Sequence, residues 1–484
     1  MTTLHSGNSV ASPPLTGWVA TKTKVLSSVS ANTSEDPDMA LDSHGNLHVV
    51  WSDLANYSNA GATDKDIFYR MYNTTTGTWT TTQVLSTQST GYSIFPRIAI
   101  DSHDNLHVTW SDDTNNANSG TNYDIFYKMY NAATGTWTTT TVVSTESPGG
   151  STISQIATDS HDNVHVVWQD YSNYTNSGID SDIFYKMKNA TTGTWTTTTV
   201  VSINSTVDSK SPNMVIDNHD NVHVTWDQSN GPVPDYDNFY TMKNATTGTW
   251  TAISMISPNS TSLGITPRMA VDSHDNLHLV WMDLSNYTNS GTDFDLFYRV
   301  YHIPTHTWTT TTVITNSSTG DSVSPSIALD SHDNLFVTWS ENSISAISGS
   351  DSDILFQVLN ATTGTWSPPT LVSTSSTAGS DVPKVLVDSH ENLHFVWQDY
   401  TNYAGSGSDP DIFYKEFINA ANVPVTTTQT TTQHQTETTT VVTTEQNTTS
   451  GSQISSSTSS TPWFILPTLV AIGSFGYIFK RRYH

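Results

Sequence analysis

Seven copies of one string, spaced almost equally along the chain, constrain the fold more than any other feature of this sequence. The string reads Asp-Ser-His-Asp-Asn-Leu-His-Val-Thr-Trp where it begins at Asp101. Close copies begin at Asp42, Asp159, Asp217, Asp272, Asp330 and Asp388. Subtracting these positions gives spacings of 55 to 59 residues. Such a period indicates repeated structural units that bury a core only by packing against one another.

Each repeat contains four segments with the composition of β-strands. In the second repeat they are residues 98–100, 106–110, 124–129 and 137–143, and the turns between them are rich in Gly, Asn and Asp. No segment before residue 460 has a helical hydrophobic period. The pattern predicts an all-β fold, a seven-bladed β-propeller of four-stranded blades over residues 15–421.

The two ends of the repeat array predict how the ring closes. The last repeat stops after its third strand, Asp411-Ile412-Phe413-Tyr414, without a fourth. Residues 18–26, at the other end of the array, match the fourth strand at 137–143. We therefore predict that this N-terminal strand completes the last blade.

The segments outside the repeats have other compositions. Residues 1–14 are predicted to be a disordered leader, and residues 422–462, mostly Thr, Ser and Gln, an extended stalk. Residues 463–479 are almost wholly apolar and precede the basic tail 480–484, which predicts one C-terminal transmembrane helix. A buried core helix or strand is the alternative. Basic residues favour the cytoplasmic side, so we expect the propeller outside the cell membrane.

That orientation requires an export signal, and residues 1–14 have neither a basic start nor an apolar run. Two explanations stay open: the sequence begins downstream of its signal, or the chain is a tail-anchored scaffold that faces the cytosol. Twelve Asn-x-Ser/Thr sequons favour an exported glycoprotein. They begin at Asn32, Asn56, Asn73, Asn173, Asn189, Asn204, Asn244, Asn259, Asn286, Asn316, Asn360 and Asn447.

Charge and cysteine content exclude several classes of function. The formal net charge is −27, which is unfavourable for nucleic-acid binding because phosphate contacts need clustered Lys and Arg. The chain has no cysteine, so disulfides and thiolate metal sites are excluded.

The repeated turn, Asp-Ser-His-Asp-Asn, has two interpretations. Asp, Asn and His are all metal-ligand types. The same residues also build turns, since Asp caps backbone amides and Asn tolerates left-handed backbone. Occurrence in every repeat favours the structural interpretation. It also indicates that the tryptophan closing each string lies in the core. These are Trp51, Trp110, Trp168, Trp226, Trp281, Trp339 and Trp397.

Two rows of aspartates flank the loop between the second and third strands. One row follows the core tryptophans by two residues and includes Asp53, Asp112 and Asp170. The other row opens the third strand and includes Asp66, Asp124 and Asp182. If the rows meet at the base of the loop, calcium could bridge them through its preferred oxygen ligands. Capping and hairpin closure are the alternative.

Positions that differ among the repeats are free of the shared architecture and point to a ligand site. One such position precedes the apolar core of each first strand, which lines the axis of a propeller. These seven residues, named the channel mouth below, are Asp38, Arg97, Gln155, Asn213, Arg268, Ser326 and Lys384. All are polar and three are cationic, which predicts binding of an anionic or sugar-like ligand. A solvated rim without a ligand is the alternative.

The loops beside the mouth are rich in Asn, Tyr and Ser, as in Asn286-Tyr287-Thr288-Asn289. Such residues form adaptable contact surfaces, which suits recognition of a carbohydrate or protein.

The repeats resemble those of sialidase-type propellers and of related repeat proteins on archaeal and bacterial surfaces. Asp-x-x-x-Asn-Leu-His-Val-x-Trp followed by Asp-Ile-Phe-Tyr carries this resemblance over about residues 15–421. The C-terminal segment, from Thr461-Pro462-Trp463 to Arg482, resembles the stalk and anchor of archaeal surface proteins.

The sialidase chemistry is not matched. That family has a Ser-x-Asp-x-Gly-x-x-Trp box between the third and fourth strands, whereas here Ser102-His103-Asp104 leads to Trp110 with an extra residue, without Gly, between the first and second. Sialidases also use three arginines, a Tyr nucleophile and a Glu partner, and no such set stands out here. We therefore expect a non-catalytic surface protein for binding, adhesion or coat formation. A glycoside hydrolase or lyase acting on acidic glycans, with Arg97, Arg268 and Lys384 at its site, is the alternative.

Overall fold

The computed structural model describes residues 17–30, 32–55, 64–115, 120–175, 177–178, 180–203, 205–229, 235–343, 351–403, 405–407 and 409–422. All of them lie in one unit, Met1–Pro424. The predicted leader, the predicted stalk beyond residue 422, the anchor and the tail fall outside these residues. Within the described ranges no helix is long and apolar enough to span a membrane. The helices found there are two short 3-10 turns, Ile303–Thr305 and Ala420–Asn422.

The strands, numbered β1 to β33 in chain order, recur in the same order in every repeat. The first strands, nearest the axis, are β3 (Ser34–Leu41), β8 (Ser93–Ile100), β13 (Ser151–Thr158), β17 (Ser209–Ile216), β21 (Gly264–Val271), β26 (Ser322–Leu329) and β31 (Ser380–Val387). The second strands are β4 (Leu47–Asp53), β9 (Leu106–Asp112), β14 (Val164–Asp170), β18 (Val222–Ser229), β22 (Asn276–Asp283), β27 (Leu335–Glu341) and β32 (Leu393–Asp399).

The third strands are β5 (Asp66–Asn73), β10 (Asp124–Asn131), β15 (Asp182–Lys188), β19 (Tyr236–Lys243), β23 (Asp295–His302), β28 (Asp353–Asn360) and β33 (Asp411–Asn419). The outermost strands are β1 (Trp18–Ala20), β2 (Lys24–Val25), β6 (Thr78–Trp79), β7 (Gln83–Val84), β11 (Thr136–Trp137), β12 (Thr141–Val142), β16 (Thr199–Val200), β20 (Ser254–Met255), β24 (Thr307–Trp308), β25 (Thr312–Val313), β29 (Thr365–Trp366) and β30 (Thr370–Leu371).

These strands form seven antiparallel sheets, which confirms the predicted seven-bladed β-propeller. The closure by the N-terminal strand is also confirmed. β1 pairs with β33 through Trp18 opposite Asn419, and β2 pairs with the same strand through Lys24 opposite Tyr414. The first strands of the first and last blades, β3 and β31, are in contact, so the ring is complete.

The outermost strand differs from the prediction because it is interrupted. Residues 137–143 were expected to be continuous, but β11 and β12 are separate two-residue pieces that both pair with β10. The physical reason is a side chain that replaces the backbone ladder. The Thr138 hydroxyl accepts the hydrogen bond of the Met129 N–H at 3.0 Å, which turns the chain away from the sheet.

The core of each blade is centred on its tryptophan. Trp110 is fully buried, and its indole N–H donates to the Asp112 carboxylate at 2.9 Å. The same bond recurs in every blade, with Gln228 as acceptor in the fourth and Glu341 in the sixth. A buried indole thus has the partner it needs, which accounts for the row of acids two residues after the tryptophans.

Aromatic side chains also join each blade to its neighbour. The outermost-strand Trp137 of the second blade meets Tyr69 of the first edge to face, with ring centroids 5.6 Å apart. Tyrosines make equivalent contacts with the next blade elsewhere in the ring. In the sixth blade Trp18 instead meets Phe336, a second-strand residue that stands where the other blades have a histidine. Trp79 and Tyr414 make the same contact across the closure of the ring, at 5.2 Å.

The repeated turn forms a second link, named the latch below. Asp104 of the second blade accepts hydrogen bonds from the backbone N–H and hydroxyl of Ser43 in the first, both at 2.8 Å, and lies 3.1 Å from His44 Nδ1. Equivalent latches connect each blade to the next as far as Glu391 in the seventh. The acid of each latch has a positive φ near 60°, and Gly45 holds this position in the first blade with φ 74°. The left-handed residue is therefore the acid, not the adjacent Asn.

Candidate functional site

The buried histidine of the repeated string belongs to a three-residue hydrogen-bond chain. In the second blade His107 lies 3.1 Å from Asp101 Oδ2 and 2.7 Å from the Tyr127 hydroxyl. Burial alone would raise the pKa of Asp101, but hydrogen bonds from His107 and Asn105 outweigh it and lower the pKa to about 2. Six blades share this arrangement, and in the sixth Phe336 and Phe356 replace the histidine and tyrosine. The three-residue chain is therefore part of the scaffold.

The exposed histidine of the turn has an acid partner in the next blade in six of the seven repeats. The groups of three residues whose ligand atoms lie close enough to hold a metal combine a turn Asp and His with the latch acid of the next blade, as in Asp101, His103 and Asp162. Asp162 already accepts hydrogen bonds from the Ser102 backbone and hydroxyl and contacts His103 at 2.9 Å. These contacts favour the turn-chemistry interpretation over metal binding.

The two aspartate rows do meet, but they differ in how many hydrogen bonds their carboxylate oxygens accept. Asp53 lies opposite Asp66 in the sheet register, Asp112 opposite Asp124, and Asp170 opposite Asp182. Asp53 accepts four hydrogen bonds, from Ser30, Ser34, the Trp51 indole and the Ala55 N–H, so its lone pairs are used. Asp112 and Asp170 are filled in the same way. This row caps the loop, and calcium bridging through it has no free oxygen to use.

The first strands carry a bulge at the same point in all seven blades. One non-glycine residue of each bulge has a positive φ, as at Phe95 with φ 55° and Val382 with φ 52°. A proline follows this residue in six blades, and Ser154 follows it in the third. The register of each first strand against its second strand shifts here, for example between Ile94 and Arg97. Positive φ costs a β-branched residue energy and is concentrated at functional sites in proteins. The bulge immediately precedes the channel-mouth position in every blade.

The structure brings the channel-mouth residues together around one cavity of about 160 Å³. Six of the seven line it: Asp38, Gln155, Asn213, Arg268, Ser326 and Lys384. The seventh, Arg97, lies near enough to Lys384 to lower its pKa.

Three channel-mouth residues also bind the next blade, so they are not free of the architecture as the sequence suggested. Asp38 accepts the N–H of Ile98 at 3.1 Å, and Asn213 accepts that of Met269 at 2.8 Å. Ser326 accepts the N–H of Val385 at 3.4 Å. The three cations cannot make this bond, because Lys and Arg offer only donors.

Lys384 interacts with the three other charged residues of the channel mouth, Asp38, Arg97 and Arg268. Its Nζ lies 3.5 Å from Asp38 Oδ1, and its side chain is only 17% exposed. Burial lowers the pKa of Lys384, repulsion from Arg97 and Arg268 lowers it further, and Asp38 opposes this, with a result of about 7. The group therefore changes charge near neutral pH.

The four arginines among the described residues divide into two pairs with different roles. Arg70 and Arg299 each donate to a backbone carbonyl of the preceding blade, that of Leu26 at 2.8 Å and that of Ile256. Arg97 and Arg268 instead lie at the mouth and donate to the carbonyl of the proline before them. Arg97 Nε is buried and has no hydrogen-bond partner among the described residues. Arg97 thus has an N–H donor that no described residue uses and that an anion could accept.

Sequence reasoning missed Asp227, a carboxylate behind the mouth. It is fully buried and accepts the N–H of Thr266, a bulge residue, at 3.1 Å. Burial raises its pKa to about 6, against opposing effects of Thr266, Ser211, Lys210 and Arg268. The signal was available: Asp227-Gln228 reverses the Gln-Asp order that follows the tryptophan in the third and seventh blades.

The tyrosines of the neighbouring loops are less available than expected. Tyr174, Tyr287 and Tyr403 pack against buried phenylalanines of the third strands, at 5.8 to 6.0 Å between ring centroids. The first of these loops, with Asn56 and Tyr57, lies outside the described residues. Tyr171 and Tyr400 are instead exposed, 41% and 36%.

No family model and no curated protein matches this chain. Among solved structures, it is similar to a polysaccharide lyase of family PL25, an ulvan lyase bound to -[GlcA(1-4)Rha3S]-. The TM-score is 0.53 at 10% identity, over 81% of this chain and 94% of the lyase. It is also similar to a fungal alcohol oxidase of the AA5 family in complex with copper. There the TM-score is 0.50 at 12% identity, over 83% of this chain and 76% of the oxidase.

An intramolecular trans-sialidase from Ruminococcus gnavus, in complex with oseltamivir carboxylate, gives a TM-score of 0.43 at 10% identity. The match covers 82% of this chain and 96% of the sialidase. That score is too low to support an argument about this chain. At such identities, the likeness to the lyase and the oxidase shows the fold alone.

Proposed function

We propose that this protein is a non-catalytic surface propeller whose channel mouth binds an anionic group of an acidic glycan. The observation that carries the proposal is a group of three cations in a chain of net charge −27: Arg268 and Lys384 line one cavity, and Arg97 lies near enough to Lys384 to lower its pKa. A cationic cavity in an acidic surface selects for a carboxylate or sulfate and against neutral chains.

The other mouth residues suit the rest of a sugar. Gln155 and Asn213 line the same cavity and offer amide groups for hydroxyls. The walls also include apolar side chains, among them Met39, Met269 and Ile327, which limit the access of water. Charge-assisted hydrogen bonds are stronger in such surroundings than at an open surface. The ulvan lyase, whose ligand carries uronate and sulfate groups, provides a reason to begin with such glycans.

The same proposal includes the location of the propeller. The apolar segment 463–479 with its basic tail anchors the chain in the cell membrane, and the Thr-rich stalk holds the propeller outside for binding, adhesion or coat formation. Protease digestion of intact cells tests this part: an exposed propeller is degraded, whereas a tail-anchored scaffold facing the cytosol is protected.

Binding is tested by titrating the full chain with polyuronates and sulfated glycans, with neutral dextran for comparison. We expect Arg97→Gln, Arg268→Gln and Lys384→Met each to weaken binding about tenfold or more, since a charge-assisted hydrogen bond contributes roughly 1.5–3 kcal/mol. Affinity should also fall as the pH rises through about 7, where Lys384 loses its proton. Lys22→Gln, at an exposed position outside the mouth, is the matched control. Absence of binding to every acidic glycan, or equal binding by the triple variant, would refute the proposal.

One observation favours an enzymatic alternative, a lyase. A lysine whose pKa is about 7 is a competent general base at neutral pH. In that reaction Lys384 would take the proton beside a uronate carboxylate held by the arginines. The electron pair of that C–H bond would form the new C=C bond, and the glycosidic oxygen would leave and take up a proton. The appearance of unsaturated uronate ends, measured by ultraviolet absorbance and lost in Lys384→Met, would support it. Intact glycan chains after prolonged incubation would exclude it.

A further inference from the structure

The loop between the second and third strands of the fifth blade, residues 284–294, leads into a pair of acids, Asp293 and Asp295. Every residue of this loop is described. Asp295 is fully buried, and its Oδ1 accepts the Thr315 hydroxyl at 2.8 Å. Its Oδ2 has no hydrogen-bond partner among the described residues, and neither has the buried Oδ2 of Asp293. Two neighbouring carboxylates therefore each present an oxygen without a donor.

Burying such oxygens destabilises the folded state, because a buried carboxylate loses its bound water and normally accepts hydrogen bonds from the protein instead. Asp283 in the same blade shows the usual solution, with donors from Trp281, Ser260 and Ser285. Burial raises the pKa of Asp295 to about 6, and repulsion from Asp293 contributes to the rise. The nearby Ser290 side chain lowers the pKa of Asp295 and so opposes the rise. The Ser290 hydroxyl also donates to the Ser285 carbonyl, at 3.3 Å.

The backbone around the pair is shaped to hold it. Gly291 has φ 127°, and a Cβ at this residue would lie 2.4 Å from Asp293 Oδ1. The Gly291 N–H donates to Asn286 Oδ1 at 3.3 Å, which folds the loop back on itself. Any larger residue at 291 would displace the Asp293 carboxylate.

The same arrangement recurs in two other blades. Asp180 and Asp182 in the third blade, and Asp409 and Asp411 in the seventh, each have a buried Oδ2 without a partner among the described residues. Gly178 and Gly407 take the place of Gly291, with φ 119° and 115°. The second blade differs because Asn122 replaces the first acid, and its amide donates to the Pro148 carbonyl at 3.1 Å. The first, fourth and sixth blades have both acids, but in none of them are both Oδ2 atoms buried without a partner among the described residues. Three repeats thus keep the same two unpaired oxygens.

We propose that each of these three pairs, Asp180 with Asp182, Asp293 with Asp295, and Asp409 with Asp411, binds a calcium ion. Calcium takes about six to eight oxygen ligands, and two carboxylates balance its charge. The ion would supply the partner that both Oδ2 atoms lack, and loop carbonyls and water would complete its coordination. The sites differ from the aspartate row at Asp53, Asp112 and Asp170, whose oxygens already accept hydrogen bonds.

The test is calorimetric titration of the chelator-treated full chain, in detergent, with CaCl2 and separately with MgCl2, together with thermal melting. We expect about three calcium ions per chain, weaker binding of magnesium, and a melting temperature several degrees higher with calcium. Asp293→Asn should remove one ion from the stoichiometry. The variant should fold, because it gives the fifth blade the Asn-x-Asp sequence that the second blade has naturally.

Asp113→Asn is the matched control. It removes one charge from an acid outside the pairs and keeps the acceptor that the Tyr92 N–H uses at 2.7 Å, so three ions should still bind. Asp180→Asn and Asp409→Asn repeat the test in the other blades and decide the matter if Asp293→Asn does not fold. No heat and no change in melting with calcium would overturn the proposal. Unchanged stoichiometry in the folded single variants, or tighter binding of magnesium, would do so as well.

Discussion

Six junctions between blades and the seventh, where the two ends of the chain meet, are held in different ways. The six each have a latch at the repeated turn, from a Ser and His of one blade to an acid of the next, with Asn218 in place of the Ser in the fourth blade. At the seventh, Gly45 stands where the acid would be. The ion pair of this junction lies instead at the channel mouth, between Lys384 and Asp38. The aromatic contact, here Trp79 on Tyr414, is kept.

The difference indicates which contacts close the ring. The aromatic contact is present at the closure as it is elsewhere, and the N-terminal strand makes the same buried hydrogen bonds that Leu85 and Ser86 make in the first blade. Leu26 is 1% exposed, and its carbonyl accepts a hydrogen bond from Arg70 of the first blade. The Ser27 hydroxyl donates to Asp411 at 2.5 Å and accepts the Ile412 N–H at 2.9 Å. Packing and strand pairing therefore close the ring, and the latch is an added polar contact.

The largest effect is expected from removing the N-terminal strand. Deleting residues 1–28 removes β1, β2, Leu26 and the Ser27 hydrogen bonds, and we expect a loss on the order of 5 kcal/mol or more of unfolding free energy. Circular dichroism melts measure it. Deleting residues 1–14 is the control, since it leaves every described strand. A chain that melts normally without residues 1–28 would show that the strand does not close the ring.

A smaller effect is expected from two outermost-strand tryptophans, Trp18 of the closing N-terminal strand and Trp137 of an ordinary blade. Trp18 meets Phe336 of the sixth blade at 5.8 Å and donates to the Glu391 carbonyl at 3.1 Å. Trp18→Ala and Trp137→Ala should each lower the unfolding free energy by roughly 2 kcal/mol. Limited proteolysis should separate them, because only Trp18→Ala loosens a strand at a chain end. Equal cleavage patterns in the two variants would contradict this distinction.

Restoring the missing latch should give a modest gain. Gly45 has φ 74°, close to that of the latch acids, and a Cβ there meets nothing within 4 Å. Gly45→Asp should therefore reach Ser389 and His390 and stabilise the chain by about 0.5–1 kcal/mol. The reverse change, Asp104→Gly, should destabilise it by a similar amount. Denaturant unfolding compares the two, and a destabilised Gly45→Asp would show that the closure excludes a latch.

Acid should not distinguish the closure from the other junctions. Asp42 and Asp388, on its two sides, have pKa values lowered to about 2 by hydrogen bonds from His and Asn that outweigh burial, as Asp101 has. A lowered folded pKa gives stability that is complete above the unfolded value of 3.8 and is lost as the pH falls through about 2. Melting temperatures of the wild type and Gly45→Asp should fall in parallel between about pH 4 and pH 2. If the two melting temperatures diverged as the pH falls, the latch would be the acid-sensitive contact.

The fold was predictable because each blade repeats the same pattern of strand and turn residues. The spacing of the strings, the truncated last repeat and the match at residues 18–26 together determine the number of blades and the closing strand. The bulges were not predictable from local preference, because residues before proline usually take extended backbone rather than positive φ. Tertiary contacts around the axis override that preference.

For the site, sequence comparison between repeats located the channel mouth but not its chemistry. Channel-mouth residues from six different blades line the cavity, so which of these side chains bind the next blade becomes visible only in three dimensions. The sequence placed His107 and Tyr127 in neighbouring strands, but it did not show that their side chains are hydrogen-bonded. One signal could have shown it: Phe336 and Phe356 depart from the repeat together in the sixth blade.

The position of the closing strand also orders the events of synthesis. Residues 18–25 leave the ribosome before the repeats, yet their partner β33 ends at Asn419. The first six blades contain all their own strands and can form one after another as the chain emerges, since folding generally proceeds from the N-terminus. Residues 18–25 must therefore remain unpaired until nearly the whole propeller has been synthesised. A ribosome that stalls inside the last repeat leaves a nascent chain with an exposed strand at its beginning, and such unpaired edges are prone to aggregate.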